Sequence, residues 1–71
     1  MDWLEDDPTE IGWYAVVYCF DPHEGMFPTA NYWDGTAWRH RGPIILRSPN
    51  TFPDMTTASD WARAHDPERL A

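Results

Sequence analysis

Three histidines are the side chains in this 71-residue sequence best suited to acid–base chemistry or metal binding. His23 lies in a predicted turn, His40 at the end of a predicted strand and His65 near the end of a predicted helix. Metal sites bring ligands together at short, regular spacings, which these three lack. A charged His65 near a helix C-terminus is also stabilised by the helix dipole, which is a structural role. We therefore predict no metal site and no cofactor.

The remaining nucleophiles also lack the neighbours that catalysis requires. Cys19 is the only cysteine, so no internal disulfide can form, and its apolar surroundings favour a small hydrophobe over a reactive thiol. Ser48 and Ser59 do not stand in a nucleophile-elbow context, and the four glycines are isolated from one another, so no phosphate-binding loop is present. We predict no catalytic residues and expect that the protein is not an enzyme.

The charge distribution limits the possible partners. Twelve acidic residues against five arginines give a formal net charge of −7. A negatively charged domain repels phosphate backbones, so direct nucleic-acid binding is not expected. Two interpretations of the charge are open: it serves solubility alone, or it mimics a polyanion and attracts a basic protein. The candidate acidic patch lies in the first ten residues and comprises Asp2, Glu5, Asp6, Asp7 and Glu10.

Residues 1–10 contain Pro8 and no apolar period, which predicts an acidic arm anchored to the rest of the domain by Trp3 and Leu4. An acidic N-terminus differs from the basic start of a secretory signal, and no apolar stretch of about 18 residues is present to span a membrane. A lone cysteine suits a reducing compartment. We therefore expect a cytoplasmic protein without a membrane partner.

Residues 12–47 predict an antiparallel sheet. The run from Gly12 to Phe20 is aromatic and β-branched, and both of its alternating sets are apolar, which is typical of a central strand covered on both faces. A second strand is predicted from Met26 to Trp33, with Pro28 at an edge or a bulge. Residues 44–47 predict a fourth short strand or a continuation of the third.

Asp34-Gly35 predicts a hairpin turn, followed by a third strand over residues 36–41. Two registers are possible. A two-residue loop pairs Trp33 with Thr36 and places Trp33 and Trp38 on one face. A three-residue loop with a bulge moves Trp38 to the face of Tyr32 instead. The sequence does not decide between them.

Apolar residues recur at three- and four-residue spacing over residues 54–66, which predicts a C-terminal helix. Asp54, Thr56 and Thr57 are candidate N-caps, and Asp66-Pro67 ends the helix. A strand over residues 56–62 is the competing interpretation. The predicted fold is thus a single small α+β domain, an antiparallel β-meander of three or four strands with one C-terminal α-helix packed on a face.

A single helix covers one face of such a sheet and leaves the other open. Aromatic side chains that share the open face would form a patch typical of protein interfaces. The candidate binding residues are Trp13, Tyr14, Trp33 and Trp38. The arginines at positions 39, 41 and 47 could form a basic strip near the third strand, but pairing with carboxylates or aromatic rings is the preferred interpretation.

The order of these short motifs resembles small Trp-rich proteins encoded by phages and prophages. The motifs are Trp3-Leu4, Gly12-Trp13-Tyr14-Ala15-Val16-Val17 and Tyr32-Trp33-Asp34-Gly35-Thr36-Ala37-Trp38. The resemblance implies a phage or prophage origin and supplies no active residues to transfer.

Two functions from different classes are consistent with these features. The first is a non-enzymatic protein-interaction or oligomerising module that uses an aromatic sheet face. The alternative is an acidic inhibitor that mimics nucleic acid and occupies a basic host protein, such as a defence or transcription component. Salt dependence of binding separates them, because only mimicry depends steeply on ionic strength.

Overall fold

The computed structural model describes residues 3–21, 23 and 25–67. Three antiparallel strands precede one helix, with β1 at Gly12–Asp21, β2 at Gly25–Trp33, β3 at Ile44–Arg47 and α1 at Met55–Ala64. The α+β class is confirmed, as are the strands predicted from Gly12 and Met26, the short strand at 44–47 and the C-terminal helix. The competing strand over residues 56–62 is wrong. Pro22 and Glu24 of the predicted 21–25 turn lie outside the described residues.

The strand order is β2-β1-β3, so β1 is central as predicted. The strand order differs from that of a meander in one respect. β3 pairs with β1, through Val16↔Arg47 and Val17↔Leu46, and not with β2. This order follows from burial. β1 is the strand with two apolar faces. In the central position both faces lie under the covers of the sheet and are buried.

Residues 36–41 do not form the predicted third strand. The carboxylate of Asp34 accepts hydrogen bonds of 2.8 Å from the backbone N–H groups of Thr36 and Ala37, and these local bonds compete with strand pairing. Gly35 has a φ of +100°, as expected for the turn. The chain does reverse here, but the described residues on either side of the turn pair through an isolated bridge, Trp33 to Trp38. Neither of the two predicted registers is therefore correct.

Pro28 lies on edge strand β2 opposite Val17. The odd-numbered residues of β1 direct their backbone groups away from β2, since Trp13 accepts from Phe52, Ala15 accepts from Ser48 and Cys19 donates to Pro43. Val17 belongs to the same set, so its partner Pro28 is not required to donate a hydrogen bond to β1. Its missing N–H also leaves one donor fewer on the free edge, which disfavours pairing with another chain.

Helix α1 packs on the side of the sheet that carries the odd-numbered residues of β1. Among the three candidate caps, Asp54 is the N-cap, accepting a hydrogen bond of 2.7 Å from the backbone N–H of Thr57. The core on this side, which we call the helix face, contains the buried residues Trp3, Ala15, Val17 and Ala62.

The acidic arm crosses the outer edge of β3. The backbone of Leu4 exchanges two hydrogen bonds of 2.8 Å with Arg47, and the indole Nε1 of Trp3 donates to the carbonyl oxygen of His65 at 2.7 Å. Trp3 is therefore the buried anchor that the sequence predicted. Leu4 anchors the arm through its backbone and not its side chain, which is 38% exposed.

Candidate binding face

The side of the sheet opposite α1 is built from aromatic side chains. Side chains alternate along a strand, so Tyr14, Val16 and Tyr18 share this side, and Trp33 joins them from the end of β2. All four are buried. Trp38 packs edge-to-face against two of them, with ring centroids 5.7 Å from Tyr14 and 5.1 Å from Trp33. We call this side the aromatic face.

The centre of the aromatic face is closed by irregular chain and is not open as predicted. Residues 34–43 cross it and carry Trp38 onto the buried rings. The acidic arm approaches from the other direction, where the hydroxyl of Tyr14 donates to the carbonyl oxygen of Glu10 at 2.6 Å. Two segments without regular structure thus cover this face of the sheet, as α1 covers the other.

Asn31 connects the sheet to the segment that crosses it. Its side chain is fully buried, and its amide nitrogen donates to the Tyr18 hydroxyl at 2.6 Å and to the His40 carbonyl oxygen at 2.7 Å. Its amide oxygen accepts from the backbone N–H groups of Tyr32, at 2.8 Å, and His40, at 3.1 Å. The sequence patterns give Asn31 no role. An asparagine inside an otherwise aromatic and β-compatible segment is the signal that points to such a buried polar contact.

A cavity of about 280 Å³ lies at one end of the aromatic face. Seven residues line it: Asp7, Trp33, Thr36, Ala37, Trp38, Arg41 and Gly42. Within the described part of the chain, the ion pairs shorter than 4.0 Å are Arg47–Asp6 and Arg63–Asp60. Asp7 and Arg41 therefore line the cavity, and neither forms a salt bridge with a described residue.

The other end of the aromatic face carries two exposed phenylalanines. Phe20 is 62% exposed and Phe27 is 63% exposed. Phe20 stacks on Tyr18 with centroids 5.3 Å apart, and Phe27 is the cross-strand partner of Tyr18. Gly42 joins this end to the cavity, because a Cβ at that position would lie only 2.8 Å from the Tyr18 ring and 3.7 Å from the Phe20 ring.

The structure separates the four candidate binding residues. Tyr14 and Trp33 belong to the core, with 2% and 6% exposure, and cannot contact a partner directly. Trp38 is half-buried in the wall of the cavity. Trp13 lies on the opposite side of the sheet, where its ring packs edge-to-face on Tyr32 with ring centroids 5.3 Å apart. Of the four, only Trp38 therefore combines partial exposure with a place on the aromatic face.

The acidic patch is exposed along the arm at Glu5, Asp6, Asp7 and Glu10, while Asp2 lies outside the described residues. Asp6 is the member that forms an ion pair within the described chain, since its carboxylate lies 2.9 Å from Arg47. That pair, together with the bond from Arg47 to the Asp6 carbonyl oxygen at 3.0 Å, holds the arm against the sheet.

Arg39 and Arg47 contact rings or a carboxylate, as the preferred interpretation expected, whereas Arg41 forms no ion pair with a described residue. Arg39 lies over Tyr32, 4.5 Å from the ring centroid, and Arg47 lies 5.8 Å from the centroid of Tyr14 while pairing with Asp6. No continuous basic strip is formed among the described residues, because Arg39 and Arg47 are engaged in separate contacts. Arg41 alone of the three reaches the cavity.

The histidines and the cysteine are dispersed. His23 and His40 are exposed, and His65 stacks on Trp61 with centroids 4.0 Å apart. Cys19 is a half-buried free thiol in β1. Among the described residues, no group of three or more histidine, cysteine or acidic side chains is close enough together to hold a metal ion.

Burial changes the ionisation of the aromatic face. Burial raises the pKa of the Tyr14 hydroxyl above its ordinary value, although the nearby Arg47 charge opposes this. Burial also raises the pKa of Tyr18, partly offset by the hydrogen bond from Asn31. At the turn, the backbone N–H groups of Ala37 and then Thr36 lower the pKa of the Asp34 carboxyl. Asp34 therefore contributes a stable negative charge beside the cavity.

Comparison of the chain with protein-family models, with curated proteins and with solved structures gave no match. Across the described residues, no helix has the length and apolar character needed to cross a membrane.

Proposed function

We propose that this protein is a non-enzymatic protein-binding module of phage or prophage type, acting in the host cytoplasm, that docks a partner on the aromatic face. One observation carries the proposal. Phe20 and Phe27 are each more than three-fifths exposed on a face where Tyr14, Tyr18 and Trp33 are buried. Exposed aromatic pairs of this kind are typical anchors of protein interfaces.

The two rings are supported from beneath, which suits an interface. Tyr18 is 7% exposed and contacts Phe20 by stacking, while Phe27 lies directly across the strand pair from it. Rings held on a rigid two-stranded support lose little conformational entropy when a partner covers them. The cavity continues this surface beyond Gly42, so one partner can use both.

The charge of the protein favours a different protein over a second copy as the partner. Self-association would bring two chains of formal charge −7 together, and their mutual repulsion opposes it. A partner with a basic surface would instead be attracted to the exposed carboxylates of the arm. We therefore extend the proposal to a hetero-complex with a basic protein.

Capture from a host lysate by the immobilised wild-type chain and by the double variant Phe20→Ser/Phe27→Ser tests this proposal. The matched control is Met55→Ser, which removes a side chain of 55% exposure on α1, away from the aromatic face. We expect proteins that bind the wild type and the control but not the double variant. Equal capture by all three chains contradicts a role for the two phenylalanines.

The alternative, an inhibitor that mimics nucleic acid, is favoured by one observation. Glu5, Asp7 and Glu10 are exposed and form no ion pair with any described residue. For mimicry, capture should fall steeply between low and high salt and should survive loss of the phenylalanines. For the aromatic interface, capture should be lost with the phenylalanines and should change less with salt than with that substitution.

A further inference from the structure

We infer that the cavity beside Trp38 is a receptor for the guanidinium group of an arginine side chain on the partner protein. This inference deepens the proposed function and depends on it for its biological setting. Its starting point is that Asp7, Trp33 and Trp38, which come from three separate segments of the chain, line one cavity.

The lining has the chemistry that binds a cation. Trp38, half-buried in the cavity wall and packed edge-to-face on Trp33 with centroids 5.1 Å apart, supplies an electron-rich ring to this space. Tryptophan is the strongest side chain for cation–π attraction. The carboxylate of Asp7 adds a full negative charge, and a guanidinium can both stack on a ring and donate two hydrogen bonds to a carboxylate. A cavity of about 280 Å³ is at the small end for organic ligands and suits a single side chain.

The charges around the cavity also favour a cation. Asp34 lies directly behind the wall, because its carboxylate accepts hydrogen bonds from Thr36 and Ala37, both of which line the cavity. Asp7 and Asp34 are thus the carboxylates at the cavity, with Arg41 in its lining and Arg39 close enough to act on Asp34. The whole chain carries −7, so the surrounding field attracts cations and repels anions.

Arg41 makes the inference testable by sign. It lines the cavity without a salt-bridge partner among the described residues, and it is exposed. If the ligand is a cation, Arg41 repels it, and removing its charge should strengthen binding. If the ligand is an anion or a zwitterion, Arg41 attracts it, and the same change should weaken binding.

The experiment is an NMR titration of the tryptophan indole N–H signals with the peptide acetyl-Gly-Gly-Arg-Gly-Gly-amide. The same peptide with citrulline in place of arginine has nearly the same shape and no charge. We expect shifts of the Trp33 and Trp38 signals, assigned with Trp33→Phe and Trp38→Phe, at peptide concentrations of about 1–10 mM, the range that one side chain provides. The citrulline peptide should bind about tenfold more weakly.

Two pairs of variants carry the comparison. Asp7→Asn should weaken binding of the arginine peptide about tenfold, the loss expected for one charge-assisted hydrogen bond. Asp60→Asn removes an equal charge from α1 and should leave binding unchanged. Arg41→Gln should strengthen binding about two- to fivefold. Its control, Arg63→Gln, removes a positive charge from α1 and should have no effect.

Three results would overturn the inference: equal binding of the citrulline peptide, weaker binding by Arg41→Gln, or no indole shift at about 10 mM peptide. The Phe20→Ser/Phe27→Ser variant separates this inference from the proposed function. That variant should still bind the arginine peptide while losing the protein partner. Asp7→Asn could also lose peptide binding while still capturing a phenylalanine-dependent partner. That result would support the aromatic interface and show that the partner does not place an arginine in the cavity.

Discussion

The two faces of the sheet bury different side chains under different covers. On the helix face, α1 places Ala58 and Ala62 against β1 in a regular array. On the aromatic face, the cover is the arm and residues 34–43, held by the two hydrogen bonds between Asn31 and His40 and by ring contacts of Trp38. A regular element distributes its stabilisation over many equivalent contacts, whereas an irregular cover depends on a few. The aromatic face should therefore be the more sensitive to single substitutions and the more adaptable to a partner.

The largest expected effect is that of Asn31→Ala. This change removes both hydrogen bonds to the His40 backbone and leaves the buried Tyr18 hydroxyl and the His40 carbonyl oxygen with their mutual hydrogen bond of 3.4 Å, which should lower the free energy of unfolding by about 3–5 kcal/mol. Urea unfolding followed by tryptophan fluorescence measures it. Asn31→Asp keeps the acceptor but loses the donor and buries a carboxylate, so its loss should be at least as large. The exposed Asn50→Ala is the control, and a similar loss there would contradict a special role for Asn31.

A second comparison uses two buried tryptophans, one on each face. Trp3 is 5% exposed and donates to the His65 carbonyl oxygen, whereas Trp33 is 6% exposed and its Nε1 has no hydrogen-bond partner among the described residues. Trp3→Phe loses a hydrogen bond as well as volume and should cost about 2–3 kcal/mol. Trp33→Phe removes an unpaired buried donor and should cost about 1 kcal/mol less. Equal unfolding free energies for the two variants would show that the hydrogen bond contributes nothing.

Gly35→Ala tests the turn that starts the irregular cover. Its φ of +100° strains any residue with a Cβ, and that Cβ would lie 3.2 Å from Cγ1 of Ile11. We expect a loss of about 1–2 kcal/mol in unfolding free energy. Thermal melting with Ala37→Gly as a control for altered loop entropy measures it. An unchanged melting temperature for Gly35→Ala would mean that the turn does not require a positive φ.

Alkaline pH should weaken the aromatic face selectively. The pKa values of Tyr14 and Tyr18 in the folded protein are raised above the ordinary 10.0. The stability that the two protonated hydroxyls contribute is therefore fully present below pH 10.0. It is lost as the pH rises through the pKa values of the folded state. Unfolding free energies measured from about pH 8 to about pH 11 should fall, and Tyr14→Phe should flatten the fall. A profile that is the same in Tyr14→Phe would exclude this tyrosine as its source.

The smallest effect is expected at acid pH, where both covers are weakened. Hydrogen bonds from backbone N–H groups lower the pKa of Asp34 at the turn and of Asp54 at the helix start, each below the ordinary 3.8. Their stabilisation is present above that value and is lost as the pH falls through the folded pKa. Asp34→Asn and Asp54→Asn should each reduce the pH dependence of melting below about pH 4. Identical profiles for both variants and the wild type would contradict this.

Local sequence patterns were sufficient to predict the elements that neighbouring residues specify. The apolar character of both sides of Gly12–Asp21 placed β1 at the centre, the three- and four-residue spacing produced α1, and Asp34-Gly35 reversed the chain. Each of these depends on neighbouring residues and on backbone preferences that act over a few positions.

Tertiary structure alone decided what covers the aromatic face and which side chains meet at its rim. The contact from Asn31 to Tyr18 spans 13 residues, and the cavity joins Asp7 to Trp38 and Arg41. Residues 34–43 have no period that a pattern can reveal, so their path is set by the hydrogen bonds and ring contacts available once β1 and β2 have paired. For the same reason Tyr14 and Trp33, predicted at an open surface, lie in the core.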